Sequence, residues 1–143
     1  MRDPRPLVFL DSNVVIDYLN GKIDWLFGPA ALERVRYAIN PVVFQQTVLG
    51  ADVAGHPDRL DAVRSRAEML PVQFDRAQGL LPRARALRNR GMHSNDVLMF
   101  SSAADCDYLV TRHAMVGGLA DGGKPVVLSP EEFRDTILVP ALT

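Results

Sequence analysis

The chain has 143 residues, 48% hydrophobic and 23% charged, enough for one domain that buries roughly two-thirds of its unfolded surface. A formal net charge of −1 and a pI of about 6.3 exclude a global basic field, so any nucleic-acid binding must come from a local patch. The lone cysteine, Cys106, excludes an internal disulfide and fits a small buried thiol in a reducing cytoplasm.

Residues 1–143 read as a single domain without repeat, low-complexity tract or linker. The opening Met1-Arg2-Asp3-Pro4-Arg5-Pro6 lacks a signal-peptide core, and no apolar run nears the ~20 residues of a membrane span. Leu7 to Leu10 reads as a strand buried on both faces, and Ser12 to Leu19 as a helix ending before Gly21. Tyr37 to Asn40 is a short strand. Pro41 then suits a first helical position, with the helix running to about Val48.

The spacing of Leu60, Val63, Ala67 and Leu70 predicts a helix over 58–70, and Pro71-Val72-Gln73-Phe74 a short strand. Asp75 to Arg90 is predicted helical, broken near Pro82 and stopped by Gly91. Ser94 to Ala104 follows as a helix with Ser94 as N-cap, then Tyr108-Leu109-Val110 as a strand. Pro125 to Leu128 is the last strand, and Ser129-Pro130-Glu131-Glu132 reads as a capping box. Alternating strands and helices predict an α/β fold with a parallel sheet covered on both faces. Ligands of such sheets bind at the carboxyl ends of the strands.

Two aspartates occupy similar frames. Asp11 ends a buried strand where a helix begins, and Asp96 opens the apolar helix that leads to the strand at Tyr108. Each alone could be a helix-start residue. As a pair at strand–helix junctions they could share a divalent metal.

The order and spacing of several segments strengthen that reading. They are Val8-Phe9-Leu10-Asp11-Ser12-Asn13, then Asn40 to Gly50, then Asn95-Asp96-Val97-Leu98 with its Ser/Ala tail, and Tyr108 to His113. In this order the chain resembles the PIN domain of metal-dependent ribonucleases, including toxins of toxin–antitoxin pairs. The resemblance implies a PIN-like three-layer α/β/α fold with a central parallel sheet. It further implies an acidic cluster that holds Mg²⁺ or Mn²⁺ and activates water to cut RNA. Asp11 and Asp96 match the family's catalytic and metal-binding acids. Where the family usually has a Glu and an Asp, this chain has Gln46 and His113.

Those departures have chemical consequences. Gln46 offers a carbonyl oxygen without charge. His113 offers a nitrogen only when neutral and suits Mn²⁺ better than Mg²⁺. A depleted shell favours a single ion over two. Other acids do not replace the lost pair. Asp107 is at the wrong strand end, ~13 Å from Thr111 at about 3.3 Å per residue. Asp121 lies on the opposite edge, Asp17 faces away on its helix, and Glu131 and Glu132 sit beside the last strand, where capping explains Glu132. Ser12, Asn13 and Thr111 are expected beside the metal or substrate, orienting water or the acids. His113 could also shuttle a proton or touch a phosphate.

Arg83, Arg85, Arg88 and Arg90 form an acid-free run, and Arg76, Arg83 and Arg90 share one helical face. They read as a stripe for the RNA backbone. Phe44 to Val53 and the apolar side of the following helix are expected to pack on the sheet. The resemblance also makes them a surface for an antitoxin or a second copy of the chain. The leading expectation is a cytoplasmic, metal-dependent endoribonuclease of reduced activity. The alternative is a degenerate PIN domain that only binds RNA or protein.

Overall fold

Five short strands pair side by side in the order β3-β2-β1-β4-β5, every pair parallel. They are β1 (Leu7–Leu10), β2 (Arg36–Ile39), β3 (Ala67–Met69), β4 (Tyr108–Val110) and β5 (Val126–Leu128). The computed structural model describes residues 3–51 and 55–139. The central strand lacks polar alternation, and Val8, Phe9 and Leu10 are all fully buried, so both faces of the sheet are covered. Phe9 sits between Ala38 on β2 and Leu109 on β4.

The helices are α1 (Ser12–Leu19), α2 (Pro29–Arg34), α3 (Pro41–Gly50), α4 (Pro57–Arg66), α5 (Phe74–Ala86), α6 (Ser94–Ala103) and the short α7 (Pro130–Phe133). Strand order runs one way from β1 to β3 and the other way from β4 to β5. Right-handed crossovers therefore set the helices on opposite faces, giving the expected three layers. The direction in which strands are added to the sheet reverses between β1 and β4, which run parallel. The carboxyl ends of those two strands form the crevice where doubly wound sheets place ligands. No helix among the described residues is long and apolar enough to cross a membrane.

The sequence reading is corrected at the sheet edge. The predicted helix over 58–70 stops at Arg66, and Ala67 to Met69 form β3 against Tyr37, Ala38 and Ile39. The predicted strand at Pro71 to Phe74 is instead the connection to α5, with Phe74 its first helical residue. Helical spacing carried on through Ala67 and Leu70, but pairing with an open strand edge decided the conformation. Pro82 lies inside α5 without ending it. The helix gives way only after Ala86, to a 3₁₀ turn (Arg88–Arg90) closed by Gly91 at φ 97°, a left-handed position suited to glycine. Three elements carry no advance signal: α2, a 3₁₀ segment over Ala114–Leu119, and a π turn over Arg134–Leu138.

Asn40 clasps the two faces together. Fully buried, it caps α3 by accepting the Val43 N–H at 3.1 Å. Its amide donates to the carbonyl of Leu98 at 3.2 Å and the Ser102 hydroxyl at 3.0 Å on α6. Ser102 in turn donates to the Pro71 carbonyl at 2.6 Å. Asn40→Ala leaves a helix N–H and α6 acceptors without partners, so it should lower unfolding free energy by about 2–3 kcal/mol in a urea titration. A loss below about 0.5 kcal/mol would show that the clasp contributes little.

Candidate functional site

Asp11 follows the last residue of β1, and Thr111 follows the last residue of β4. Parallel pairing of Leu10 with Val110 therefore sets them side by side in the crevice. Asp11, not Ser12, is the N-cap of α1. Its Oδ1 accepts the Ser12 N–H at 2.7 Å, and its Oδ2 accepts the Thr111 hydroxyl at 2.8 Å. Asn13 ties the two strand ends together. Its amide donates to Asp11 Oδ2 at 3.3 Å and to Thr111 Oγ1 at 3.4 Å, and its Oδ1 accepts the Arg112 N–H at 3.1 Å.

Asp11 is 5% exposed, and burial pushes its carboxyl above the ordinary aspartate value. The hydrogen bonds from Thr111 and Ser12 pull the other way. The charge of Asp96 raises the carboxyl further and that of His113 lowers it. Asp11, Asp96 and His113 thus share one electrostatic neighbourhood.

Asp96 belongs to the first turn of α6. The N-cap is His93, one residue earlier than the predicted Ser94, and its N–H donates to Asp96 Oδ2 at 2.8 Å. Only one Asp96 oxygen, Oδ2, takes part in this cap. His113 follows Thr111, and its N–H donates to the Thr111 hydroxyl at 3.0 Å. A methyl added at Gly91 would lie 3.8 Å from the His113 Nε2, so the imidazole packs toward the turn after α5. Gln46 is half-buried on α3 and hydrogen-bonds neither acid.

Arg112 is the residue that sequence reasoning missed. Its guanidinium donates to Asp17 at 2.5 Å and to both oxygens of Glu131, at 3.1 and 3.3 Å. Asp17, expected to face away, is thereby held to the strand edge that carries the acids. The pair also holds Glu131 below its ordinary value, together with a backbone hydrogen bond. Nothing in the spacing of residues 17, 112 and 131 announces this cluster, because β4, α1 and α7 must first be assembled.

The arginine stripe divides. Arg76 pairs with Asp105 at 2.8 Å and Arg83 with Asp121 at 3.4 Å. Asp121 lies ahead of β5, so Arg83 is engaged at the sheet edge opposite the acids. Arg85, Arg88 and Arg90 are exposed and have no ion pair among the described residues. Of the segment Phe44 to Val53 expected as a partner surface, Val48 and Leu49 are exposed, Leu49 at 81%. Its end, Asp52 and Val53, lies outside the described residues.

No family model matches the chain, and no curated protein matches it. A chain of the crystal structure of VapBC2 from Rickettsia felis bound to a DNA fragment from their promoter does match in fold. The alignment covers 86% of this chain and 97% of that one, with a TM-score of 0.62 at 17% identity. The fold is PIN-like.

In this PIN-like frame the donor set can be tested against a metal. Among the described residues no group of three or more His, Cys, Asp or Glu side chains is arranged to hold an ion, so a closed protein cage does not fit. An open site does fit. Burial is the main cause of the raised Asp11 carboxyl, and the charge of Asp96 adds to it. Two carboxylates with water in the remaining positions suit one hard cation such as Mg²⁺ or Mn²⁺.

Proposed function

We propose that the chain is a divalent-metal-dependent endoribonuclease, the toxin half of a toxin–antitoxin pair. The observation that carries this reading is the placement of Asp11. It is a buried carboxylate at the switch point of a PIN-like sheet, oriented by two hydrogen bonds and within electrostatic reach of Asp96. Burial of an ionisable group in a crevice costs stability, and such costs are characteristic of functional sites.

Asp11 and Asp96 would hold a single Mg²⁺ or Mn²⁺, with Gln46 and His113 completing a depleted shell. When bound, the ion would lower the pKa of water and offset phosphate charge. The chain's own residues do the rest. Thr111 and Ser12 fix the Asp11 carboxylate in one orientation, so none of its attraction is spent on ordering it. Asn13 locks the β1 and β4 ends at a fixed separation. The His93 N–H holds one Asp96 oxygen. Arg85, Arg88 and Arg90 would bind the RNA backbone. Arg83 contributes less, because it is already paired with Asp121.

The neighbouring structure is a VapBC2 assembly bound to promoter DNA, which supports an antitoxin partner here. Exposed Val48 and Leu49 on α3 suit contact with that antitoxin or with a second copy. The buried single cysteine and the absence of a membrane-length helix among the described residues are compatible with a cytoplasmic protein.

A second reading has its own observation. Gln46 and His113 stand where the resembling family carries acids, and no three-ligand cluster forms. On that basis the chain would bind RNA or protein without cutting. Expression in a bacterial host separates the two. The nuclease toxin should arrest growth, and Asp11→Asn should restore it. Equal arrest by both proteins would exclude catalysis as the cause.

A further inference from the structure

Beside the acidic crevice, the last turns of α5 and the first turn of α6 enclose a groove of about 130 Å³. Leu81, Ala84, Met92 and Val97 supply its apolar surface, and Arg85, Arg88, His93 and Ser94 complete the lining. His93, whose backbone N–H donates to Asp96 Oδ2, belongs to the lining and links the groove to that carboxylate. Three features of this groove require explanation together. It is too small for a drug-sized ligand, for which pockets of roughly 300 Å³ or more are usual. Leu81 stays 38% exposed beside it. The side chains of its two arginines have no acidic or hydrogen-bonding partner among the described residues, whereas Arg76 and Arg83 earlier on α5 and Arg112 after β4 are all paired.

An apolar slot with unpaired guanidiniums on its rim matches one chemistry closely: a planar ring carried on a phosphate backbone. We infer that the groove is a nucleobase subsite, which takes one unstacked base of the RNA while Arg85 and Arg88 hold the flanking phosphates. The inference rests on the ribonuclease reading for the identity of the strand and deepens it. A base can enter only when it is free of its neighbours, so the site selects single-stranded or looped RNA over duplex. A guanidinium plane can stack on a base, as can the imidazole of His93 in the lining. His93 and Ser94 also line the groove and supply its polar groups beside the aliphatic walls.

The test is equilibrium binding of the full chain by fluorescence anisotropy, in chelator so that no strand is cut. The probes are a short single-stranded RNA, the same sequence as a duplex, and the same strand made abasic. The single strand should bind about tenfold or more tightly than the abasic strand, the usual scale of one buried base. It should also bind more tightly than the duplex. Leu81→Gln, a neutral change at a half-exposed position, should weaken the base-bearing strand at least about threefold through lost apolar contact and leave the abasic strand unchanged. Arg85→Ala with Arg88→Ala should weaken both strands.

Equal binding of intact and abasic strands by the unaltered chain would overturn the proposal, as would Leu81→Gln weakening both strands equally. These readouts need no cleavage. Base-dependent binding without cutting in any metal would sink the nuclease reading and keep the subsite. Metal-dependent cutting with base-independent binding would do the reverse.

Discussion

Asp11→Asn should abolish RNA cleavage and, in the absence of metal, make the fold more stable. The first effect follows from removing one of two carboxylates that would hold the ion. Losing several kcal/mol of transition-state stabilisation corresponds to about 100-fold or more in rate. The second follows from burial. The folded chain raises the Asp11 carboxyl above the ordinary value of 3.8, chiefly by desolvation. It therefore binds that proton more tightly than the unfolded chain does. Stability from this group is full below the unfolded value and is lost as pH rises through the folded value. At neutral pH the fold carries an ionised, nearly enclosed carboxylate at a cost.

Asparagine keeps an oxygen for the Ser12 N–H and turns its amide to the Thr111 hydroxyl, without the charge. The thermal midpoint should rise by a few degrees at pH 7, at roughly 3 °C per kcal/mol for a chain of this size. The difference between the two proteins should shrink as pH falls toward 4. Added Mn²⁺ should reverse the order, stabilising the original chain by mass action and leaving the variant unmoved. A variant that is less stable at every pH would mean that Asp11 serves as a helix cap alone.

Gln46→Glu combined with His113→Asp should strengthen metal binding about 100-fold, read by calorimetric titration with Mn²⁺. Each new carboxylate within reach of a divalent ion contributes at least about 1.4 kcal/mol even at the effective dielectric of a protein surface, or tenfold in affinity. His113 already lies close enough for its charge to act on Asp11, so His113→Asp alone should account for much of the gain. Cleavage should rise with affinity, and preference should move from Mn²⁺ toward Mg²⁺ as nitrogen leaves the shell. Unchanged affinity would place Gln46 and His113 outside the ion's reach and shift the reading toward a binding domain.

The sequence disclosed the positions of Asp11 and Asp96 at helix starts more fully than their setting. Asp11 and Asp96 were legible because each stands at a junction where an apolar run meets a helix start, a purely local signal. The edge of the sheet was not legible. Ala67-Glu68-Met69 has little β character, and β3 exists because β2 offers unpaired backbone to it. Phe74 looked like part of a strand, yet it opens α5.

The heptad spacing holds for Arg76 and Arg83 on α5, but the helix ends at Ala86 and Arg90 lies in the 3₁₀ turn beyond it. Arg76 and Arg83 are consumed by Asp105 and Asp121, acids that no helical periodicity could locate. Of the acid-free run, Arg85, Arg88 and Arg90 have no ion pair among the described residues. The bridge from Arg112 to Asp17 and Glu131 spans 95 and 19 positions, and the Asn40 contacts with α6 span about 60. Contacts of that range are products of the finished topology.

The most direct measurement is single-turnover cleavage of structured and unstructured RNA by the purified chain, with Mg²⁺, with Mn²⁺ and with chelator, beside Asp96→Ala. Two aspartates at the switch point should support metal-dependent cutting that chelator stops and Asp96→Ala reduces by about 100-fold or more. A folded, inhibitor-free chain that cuts in no metal, or whose cutting survives Asp96→Ala, would contradict the assignment of these two carboxylates as a working metal site.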